Sequence, residues 1–417
     1  MTASYLMPTA LGIFALVYLG MIFGRFPRLA VDRTGIALLG AIALLASGTV
    51  SPQEAWLAID APTIALLFGL MVVSSQFQLG GFYARVTQRL ASAPHTPPVL
   101  LAQLVTVTGL LSAILTNDVV CLAMAPVLAH VCRQRQLNPI PFLLALACAA
   151  NVGSALTLIG NPQNMLIGQA LDLSFAGYLL IAAVPTALGL LLVWAIIAVQ
   201  FRRQWAFSEL VGSDGSDGPD RSFQNMAPFN RWQTAKGIAV TLALMAAFLL
   251  APWPREIAAL AAAGLLLLSR RMATRQLLGL VDWHLLVLFA GLFVVNHALQ
   301  SSGGLDLLLN ALRSTGIALD HPDWLFAVTV ILSNLVSNVP AVMLLLPTAE
   351  HPLAGPILAL ASTLAGNLFI VGSIANIIVV EQAALLGIRI DWRTHARTGV
   401  PITLGTLAVA GVWLWLL

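Results

Sequence analysis

Charged side chains are scarce in this chain. Only 9% of its 417 residues are Asp, Glu, Lys or Arg, whereas 59% are hydrophobic, and the mean hydropathy is +0.91. A soluble domain carries far more charge on its surface. The composition therefore excludes a soluble fold. The net charge of +3 does not indicate a nucleic-acid-binding surface, because the basic residues lie in short loops between apolar segments.

Residues that form metal or sulfur sites are also few. The three cysteines, Cys121, Cys132 and Cys148, lie in or beside apolar segments without CxxC spacing, so we interpret them as small packing residues. The histidines form no HxxH or HExxH pair. We expect no cofactor except a coupling ion such as Na⁺. An intramembrane enzyme is disfavoured, because neither a nucleophile–base pair nor a metal cluster occurs at helical spacing.

Long apolar runs fill the chain from end to end. Runs of about 20 residues can cross a bilayer as helices, and they recur here between short polar loops. Residues 98–132 and 323–348 differ, because each is a long apolar segment with polar residues at its centre. We therefore predict an all-α polytopic membrane protein with about ten spans plus two re-entrant hairpins, arranged in two inverted repeats.

The distribution of basic residues predicts the orientation. Cytoplasmic loops of membrane proteins are enriched in Lys and Arg. When the chain is threaded through these spans and hairpins, all 20 basic residues except Arg255 and Arg313 fall on one side. We predict that this side is cytoplasmic, that the chain lies in the inner membrane, and that both termini face outward.

The second half of the sequence repeats the plan of the first. Leu115-Thr-Asn117 followed by Pro126 matches Val336-Ser-Asn338 followed by Pro347, at the same spacing. Five spans precede the second copy, so the two copies lie inverted in the membrane. We predict a first repeat over residues 1–200, a cytoplasmic linker over 201–234 and a second repeat over 235–417.

The stretch Asn151–Asn164 interrupts an apolar span with Asn, Gly, Ser, Thr and Pro residues. Gly160-Asn161-Pro162 is predicted to end the helix, because proline lacks an N–H and disfavours helical backbone in the residue before it. A matching interruption, Gly372-Ser-Ile-Ala-Asn376, lies in the second half. Interrupted spans are typical of the binding site of a secondary transporter; a proline kink packed by neighbouring helices is the structural alternative.

Polar residues at the hairpin tips and helix breaks are the candidate site. Free carbonyls at such breaks coordinate cations, and half-helix N-termini attract anions. Asn117 and Asn338 are candidates to shape the tips and offer amide groups to an ion. The residues that could supply the other contacts to substrate or cation are Thr116, Asn151, Ser154, Asn164, Ser337, Asn367, Ser373 and Asn376. For each of them the alternative is that the side chain caps a broken helix.

Two acids are candidates for coupling. Asp118 lies inside an apolar hairpin, where an acid is expensive and indicates function; it could contact substrate, bind Na⁺ or take up a proton. Its alternative role is to cap the second arm of the hairpin. Glu381 could be a second coupling group or an interfacial acid near Arg389. Asp60 and Asp282 start equivalent spans and are predicted to be helix caps.

No Lys or Arg lies near either break or tip. An anionic cargo would therefore be held by helix N-termini, amides, hydroxyls and bound cations, and a neutral cargo needs no cationic group. This argues against a strongly charged substrate held by an arginine fork.

The motifs resemble those of the ion transporter superfamily, which joins arsenite-efflux permeases, sodium/proton antiporters of the same fold and divalent anion:sodium symporters. The resemblance rests on Thr116-Asn-Asp118, Gly153-Ser-Ala-Leu-Thr-Leu-Ile-Gly-Asn-Pro-Gln-Asn164, Ser337-Asn338 and Gly366-Asn through Asn376. It implies one cation site at Thr116, Asn117 and the backbone of Asn151–Ser154, Gly153 included. It implies a second at Ser337, Asn338, Gly366 and Asn367, and it suggests a homodimer.

The hairpin tips distinguish branches of that superfamily. Dicarboxylate symporters carry Ser-Asn-Thr at both tips, whereas the third positions here are Asp118 and Val339. Asn-Asp resembles the arsenite-permease and antiporter branch. We therefore expect a secondary transporter of a small anion or oxyanion acid, plausibly arsenite-like, coupled to H⁺ or Na⁺. The alternatives are a sodium-coupled di- or tricarboxylate or other organic-anion symporter, and a Na⁺/H⁺ antiporter.

Overall fold

The structure is a computed structural model that describes residues 3–24, 31–92, 95–206, 228–269 and 272–417. Within these ranges the chain forms α-helices, short 3-10 turns and one isolated β-bridge between Leu137 and Ala206. The predicted all-α class is confirmed.

The helices of the two halves correspond in order. Those of the first half are α1 (Ala3–Phe23), α2 (Arg33–Ala46), α3 (Pro52–Ala58), α4 (Ala61–Leu79), α5 (Phe82–Ser92), α6 (Pro97–Ile114), α7 (Asn117–Gln134), α8 (Pro139–Ser154), α9 (Pro162–Ala170) and α10 (Phe175–Gln200). Those of the second half are α11 (Arg231–Leu250), α12 (Arg255–Leu267), α13 (Thr274–Leu278), α14 (Trp283–Ser301), α15 (Gly304–Ser314), α16 (Pro322–Val336), α17 (Asn338–Leu345), α18 (Ala354–Ala365), α19 (Ile374–Leu385) and α20 (Trp392–Leu416).

The fold is that of a multi-pass membrane protein. Seven described helices are long and apolar enough to cross a bilayer, namely α1, α4, α6, α10, α11, α14 and α20. Large apolar side chains on the outer helices are exposed, for example Leu180 and Leu191 on α10 and Leu404 and Val412 on α20. Apolar side chains on the outside of a helical membrane protein are in contact with the lipid tails, which are equally apolar.

The two halves interlock through their second and fourth helices. Helix α2 packs against α14, and α12 packs against α4. In each pair a glycine permits backbone contact: a Cβ at Gly69 would lie 2.7 Å from the Ala259 backbone, and one at Gly291 would lie 2.8 Å from the Ala37 backbone. Each half therefore completes the packing of the other.

Two contacts join loops that are predicted to lie on the same side of the membrane. Arg133, predicted to be cytoplasmic, donates to the carbonyl of Leu386, which precedes Arg389, also predicted to be cytoplasmic. On the opposite side, Arg255 lies 3.6 Å from Asp172 and donates to Leu173 O at 2.8 Å. Arg255, one of the two basic residues predicted to lie on this side, thus contacts an acid and a carbonyl of a loop predicted to lie on the same side.

The hairpins lie close to their predicted positions. The first consists of α6 and α7, with Leu115 and Thr116 between the arms. The second consists of α16, α17 and a 3-10 turn ending at Thr348, with the single residue Ser337 at its tip.

Asp60 and Asp282 cap α4 and α14, accepting from the N–H groups of Thr63 and Leu285. Their predicted role as helix caps is confirmed.

The position predicted for the first helix break is wrong in one respect. Helix α8 already ends at Ser154, and Gly160-Asn161-Pro162 starts α9 instead of ending α8. Asn161 is the N-cap, accepting from the Asn164 N–H at 2.9 Å, and proline is favoured in the first helical turn, where its missing N–H has no intrahelical partner. The seven residues between α8 and α9 thus form a non-helical gap of turns and bends.

Helices α8 and α18 occupy the centre of the molecule. Every residue of α8 except the half-buried Ile140, and every residue of α18, is buried. The burial of these two helices brings both breaks to the core.

The predicted division into two repeats and a linker stays a prediction. Residues 207–227, which form most of the linker, lie outside the described residues, as do Arg25, Arg28, Arg270 and Arg271.

Candidate functional site

Two interrupted helices meet in the core. The first is α8–α9, with a gap from Ala155 to Asn161; the second is α18–α19, with a gap from Gly366 to Ser373. Each gap leaves backbone carbonyls at a helix C-terminus and N–H groups at a helix N-terminus without intrahelical partners. Asparagine, serine and threonine side chains from both halves fill the space between the gaps.

Asn151, in the last turn of α8, connects three elements. Its Nδ2 donates to Asn367 Oδ1 at 2.8 Å and to Asn376 Oδ1 at 3.1 Å, both in the second half. Its Oδ1 accepts from Ser373 Oγ at 2.8 Å and from Asn117 Nδ2 at 3.2 Å. One amide thus joins the first hairpin tip to the second helix break.

Thr363, on α18, has the equivalent role for the first break. Its Oγ1 accepts from Asn161 Nδ2 at 3.1 Å and Gln163 Nε2 at 3.2 Å, and donates to Asn164 Oδ1 at 3.3 Å. Thr363 follows Asn151 by the same interval that separates Asn164 from Asn376. The two connections are therefore related by the internal repeat, and each half holds the break of the other.

Asn164 and Asn376 cap the free carbonyls of their own breaks. Asn164 Nδ2 lies 3.0 Å from Thr157 O, and Asn376 Nδ2 donates to Gly366 O at 2.8 Å. Both side chains therefore cap broken helices, which is the alternative role considered for them. Their binding to substrate stays a prediction.

The first hairpin tip contains buried acceptor oxygens that receive no hydrogen bond. The backbone N–H of Asn117 donates to Gly160 O at 3.1 Å, which fixes the tip on the first break. Thr116 and Asn117 are each 5% exposed. The side-chain oxygens Thr116 Oγ1 and Asn117 Oδ1 have no hydrogen-bond partner among the described residues. Buried oxygens without partners are costly, and here they lie where the cation site is predicted.

Gly153 and Ser154 end α8 beside this tip. A Cβ at Gly153 would lie 2.3 Å from Gly109 Cα in the first hairpin arm, so the hairpin and α8 are in backbone contact. The Ser154 hydroxyl donates to Asn151 O at 2.8 Å and accepts from Asn161 Nδ2 at 3.0 Å.

The second hairpin tip is built differently. Ser337 has φ +80°, a conformation that L-residues adopt rarely. Asn338 follows it, and in the amide orientation that satisfies both of its polar atoms its Nδ2 donates to Ser362 O at 3.1 Å and Gly372 O at 3.3 Å. The tip thus contacts the second break at Gly372 and lies beside Gly366. The second cation site stays a prediction.

We expect the Ser337→Gly variant to be more stable than wild type. Glycine removes the strain of the positive φ, which is of the order of 1 kcal/mol, and thermal unfolding in detergent measures the gain. Ser337→Ala is the matched control, since it also lacks the hydroxyl but keeps the strain. Equal melting temperatures for the two variants would contradict a strained tip. If the hydroxyl binds a cation, both variants lose coupling-ion affinity.

The two candidate acids lie in different surroundings. Asp118 is half-buried in the first turn of α7 and has no hydrogen bond or ion pair among the described contacts; the N-cap of α7 is Thr116, so Asp118 does not cap this helix. Glu381 on α19 is exposed, and the structure does not bring it to the amide cluster.

Sequence reasoning missed several residues of the cluster. Thr363, Asn161 and Gln163 connect the two breaks, and Tyr178 and His395 reach the breaks from α10 and α20. The repeat carried a usable signal for Thr363, because it occupies the position equivalent to Asn151. Within the described residues, no Lys or Arg side chain bonds to the cluster.

Comparisons with known proteins identify a family of membrane transporters. The family model described as "CitMHS: Citrate transporter" matches residues 18–365. The "46 kDa membrane protein" of Mycobacterium leprae is 28% identical over 93% of this chain and 94% of its own. The "Silicon efflux transporter LSI3" of Oryza sativa subsp. japonica is 28% identical over 95% of each chain. The "Putative transporter arsB" of Dictyostelium discoideum is 23% identical over 90% of this chain and 86% of its own.

A solved structure shares the fold. The YdaH transporter of Alcanivorax borkumensis superposes with a TM-score of 0.54 at 14% identity, over 99% of this chain and 98% of that one. At this identity the similarity shows the fold alone.

Proposed function

The chain belongs to the CitMHS citrate transporter family, and from that premise we propose that it is a secondary active transporter of a small oxyanion acid, arsenite-like in chemistry. Transport is coupled to H⁺ or Na⁺ and proceeds by alternating access across the inner membrane. Cargo and coupling ion bind between the two helix breaks and the two hairpin tips.

The observation that carries this proposal is the chemistry of the cluster. Its side chains are amides and hydroxyls, which both donate and accept hydrogen bonds. A weak hydroxy acid that is uncharged at neutral pH, such as arsenous acid, presents the complementary groups. A multiply charged carboxylate is usually held by Arg or Lys, and the described cluster contains neither. The relative in rice is named a silicon efflux transporter, which supports a cargo of this class.

The backbone supplies the sites for a coupling cation. Carbonyls at unwound helix segments and at half-helix C-termini coordinate Na⁺ in transporters of this architecture. The unpartnered oxygens of Thr116 and Asn117 lie beside the C-terminus of α8. We assign the first cation site to these oxygens together with the Asn151–Ser154 backbone, and its counterpart to Ser337, Asn338, Gly366 and Asn367.

A sodium-coupled citrate symporter is the second candidate. The family description favours it, and the N-termini of α9 and α19 could bind carboxylates through the N–H groups that Asn161 and Ser373 do not cap. Under this reading the bound cations neutralise the cargo.

Uptake into proteoliposomes tests the function. The purified full chain is reconstituted, and uptake of arsenite, silicate, phosphate, citrate and succinate is measured with an imposed Na⁺ or H⁺ gradient. We expect arsenite or silicate to accumulate with one of the gradients. Accumulation of citrate alone, driven by Na⁺, would reject the oxyanion proposal in favour of the second candidate. Cation exchange without any cargo would establish an antiporter.

The Asp118→Asn variant tests coupling. If Asp118 carries the coupling proton, the variant loses the response to a pH gradient but still exchanges cargo at equilibrium, because asparagine keeps the size of the side chain. Counterflow of labelled cargo is the control measurement. A variant that still accumulates cargo against a gradient would show that Asp118 does not carry the proton.

A further inference from the structure

An apolar cavity lies beside the second hairpin. Its volume is about 450 Å³, which is within the range of small-molecule sites. Its walls are aliphatic side chains of α15, of the loop that follows it and of both hairpin arms, among them Leu312, Val328, Leu332 and Leu344. Thr315, a polar wall residue, donates its hydroxyl to Leu312 O at 2.7 Å. The cavity therefore suits a hydrocarbon chain.

A smaller polar cavity adjoins the apolar one. The two share Leu309 and Leu319 as walls, and the polar cavity, of about 50 Å³, adds Arg313, Asp320 and Glu350. Arg313 Nη2 lies 3.9 Å from Asp320 Oδ1, and both side chains are more than half exposed. So exposed an ion pair contributes little, which leaves both groups able to bind another partner. The Glu350 carboxylate makes neither a hydrogen bond nor an ion pair with any described residue.

These three charges depart from the internal repeat. The equivalent positions of the first half, at the spacing of the two hairpin tips, are Ser92, Val99 and Ala129. The fold that both halves share therefore does not require the charges. The second hairpin also differs in its second arm, because α7 continues through Pro126, whereas α17 ends before Pro347, which lies in the 3-10 turn. The early end of α17 makes the polar cavity, since Pro347 is one of its walls.

The two cavities lie where the chain and the head of a phospholipid are separated in a bilayer. Four leucines of α15 line the apolar cavity, namely Leu305, Leu308, Leu309 and Leu312. Leucines at this spacing beside polar residues are typical of a helix that lies in the membrane interface. Val328 and Leu332 extend the cavity along the first hairpin arm, toward the bilayer interior. Arg313 is one of the two basic residues predicted on the outer side.

We propose that the two cavities together bind one phospholipid whose head carries a phosphate and a primary ammonium, as in phosphatidylethanolamine. An acyl chain fills the apolar cavity, Arg313 binds the phosphate, and Asp320 and Glu350 bind the ammonium. The charges select this head, because a choline head has no N–H to donate to the carboxylates, and a head without a cation leaves them facing the phosphate. The bound lipid connects α15 to both arms of the second hairpin.

Lipid titration of the purified full chain tests the site without knowledge of the cargo. Delipidated protein in detergent is titrated with dioleoyl phosphatidylethanolamine, phosphatidylcholine or phosphatidylglycerol, and native mass spectrometry measures the bound lipid. The acyl chains are identical, so a difference in affinity comes from the head. We expect phosphatidylethanolamine to bind about tenfold more tightly than the other two, the factor that one hydrogen bond to a charged group is worth. Equal affinities would overturn the proposal, since lipid that merely surrounds the protein does not distinguish heads in this way.

Charge variants assign the two parts of the head. Arg313→Gln should weaken binding of all three lipids, because each has a phosphate, whereas Arg313→Lys keeps the positive charge and should retain most of the affinity. Glu350→Gln should weaken binding of phosphatidylethanolamine alone. Asp306→Asn is the matched control, since Asp306 lies on α15 but lines neither cavity, and it should bind as wild type does. Equal effects of Glu350→Gln and Asp306→Asn would reject a specific ammonium site.

Val328→Trp tests the apolar cavity. The larger side chain occupies the space of the acyl chain, so all three lipids should bind more weakly, while Val328→Ala leaves the cavity open and should retain binding. Unchanged lipid affinity of Val328→Trp would overturn the proposal; if the oligomeric state in the same spectra also changed, a second copy of the chain would be the occupant. If Val328→Trp does not fold, the charge variants still decide the proposal. None of these measurements involves transport, so their result is independent of the proposed function.

Discussion

The Asn151→Ala variant is expected to lose transport. The substitution leaves Asn367 Oδ1, Asn376 Oδ1 and Ser373 Oγ without their partner in a buried cluster. Each buried polar group left unsatisfied costs about 1–3 kcal/mol, so a loss of about 3 kcal/mol or more of folding stability accompanies the loss of function. Initial rates of uptake and the melting temperature of purified protein measure the two effects.

Thr363 provides the matched comparison for Asn151. Thr363→Val keeps the shape but removes the hydroxyl that binds the first break, and we expect a similar loss of transport. Thr363→Ser keeps the hydroxyl and should retain most activity. Normal uptake by both Asn151→Ala and Thr363→Val would show that the amide cluster lies outside the transport path and is not needed for transport.

The Gly153→Ala variant is expected to fail through steric overlap. The added Cβ would lie 2.3 Å from Gly109 Cα and 2.4 Å from Gly109 O, and backbone atoms cannot turn away as a flexible side chain can. Either α6 moves off α8, which separates the hairpin tip from Asn151, or the fold is lost. We expect transport to fall below detection, with a lower melting temperature.

Gly264→Ala is the control for this experiment. Gly264 lies inside α12, and a Cβ there would meet no heavy atom within 4 Å. Alanine is favoured over glycine in helices by about 1 kcal/mol, so this variant should be at least as stable as wild type and fully active. If Gly153→Ala behaves like Gly264→Ala, the close contact between the first hairpin and α8 does not exist.

Much of the architecture could be predicted from the sequence. Apolar runs indicate spans whatever their partners, and the polar centres of residues 98–132 and 323–348 indicate hairpins, because lipid does not satisfy polar backbone. The charge bias indicates sidedness. These signals are local in the chain, so one sequence is enough to see them.

The positions of the breaks and their contacts could not be predicted as well. The end of α8 at Ser154 depends on Asn161, Asn164 and Tyr178, whose side chains satisfy the freed carbonyls. The contacts of Asn151 with Ser373 and Asn376 join residues far apart in sequence and depend on how the two interrupted helices cross. No local pattern contains that crossing, although the repeat points to Thr363.

Glu381 shows that an acid in an apolar segment does not by itself predict a position in the functional site. The same criterion selected Asp118 and Glu381, yet only Asp118 lies at a hairpin tip, while Glu381 is exposed on α19. Which face of a helix an acid occupies depends on packing, and α19 is buried on one face only.

Cargo binding by the purified protein tests the central claim, that cargo and coupling ion share the cluster between the two breaks. The melting temperature is measured with the cargo identified by uptake, with and without the coupling ion, for wild type, Thr363→Ser and Thr363→Val. We expect cargo to stabilise wild type and Thr363→Ser, more strongly when the ion is present, and not to stabilise Thr363→Val. Equal stabilisation of all three, independent of the ion, would place the cargo elsewhere and contradict a shared site for cargo and ion.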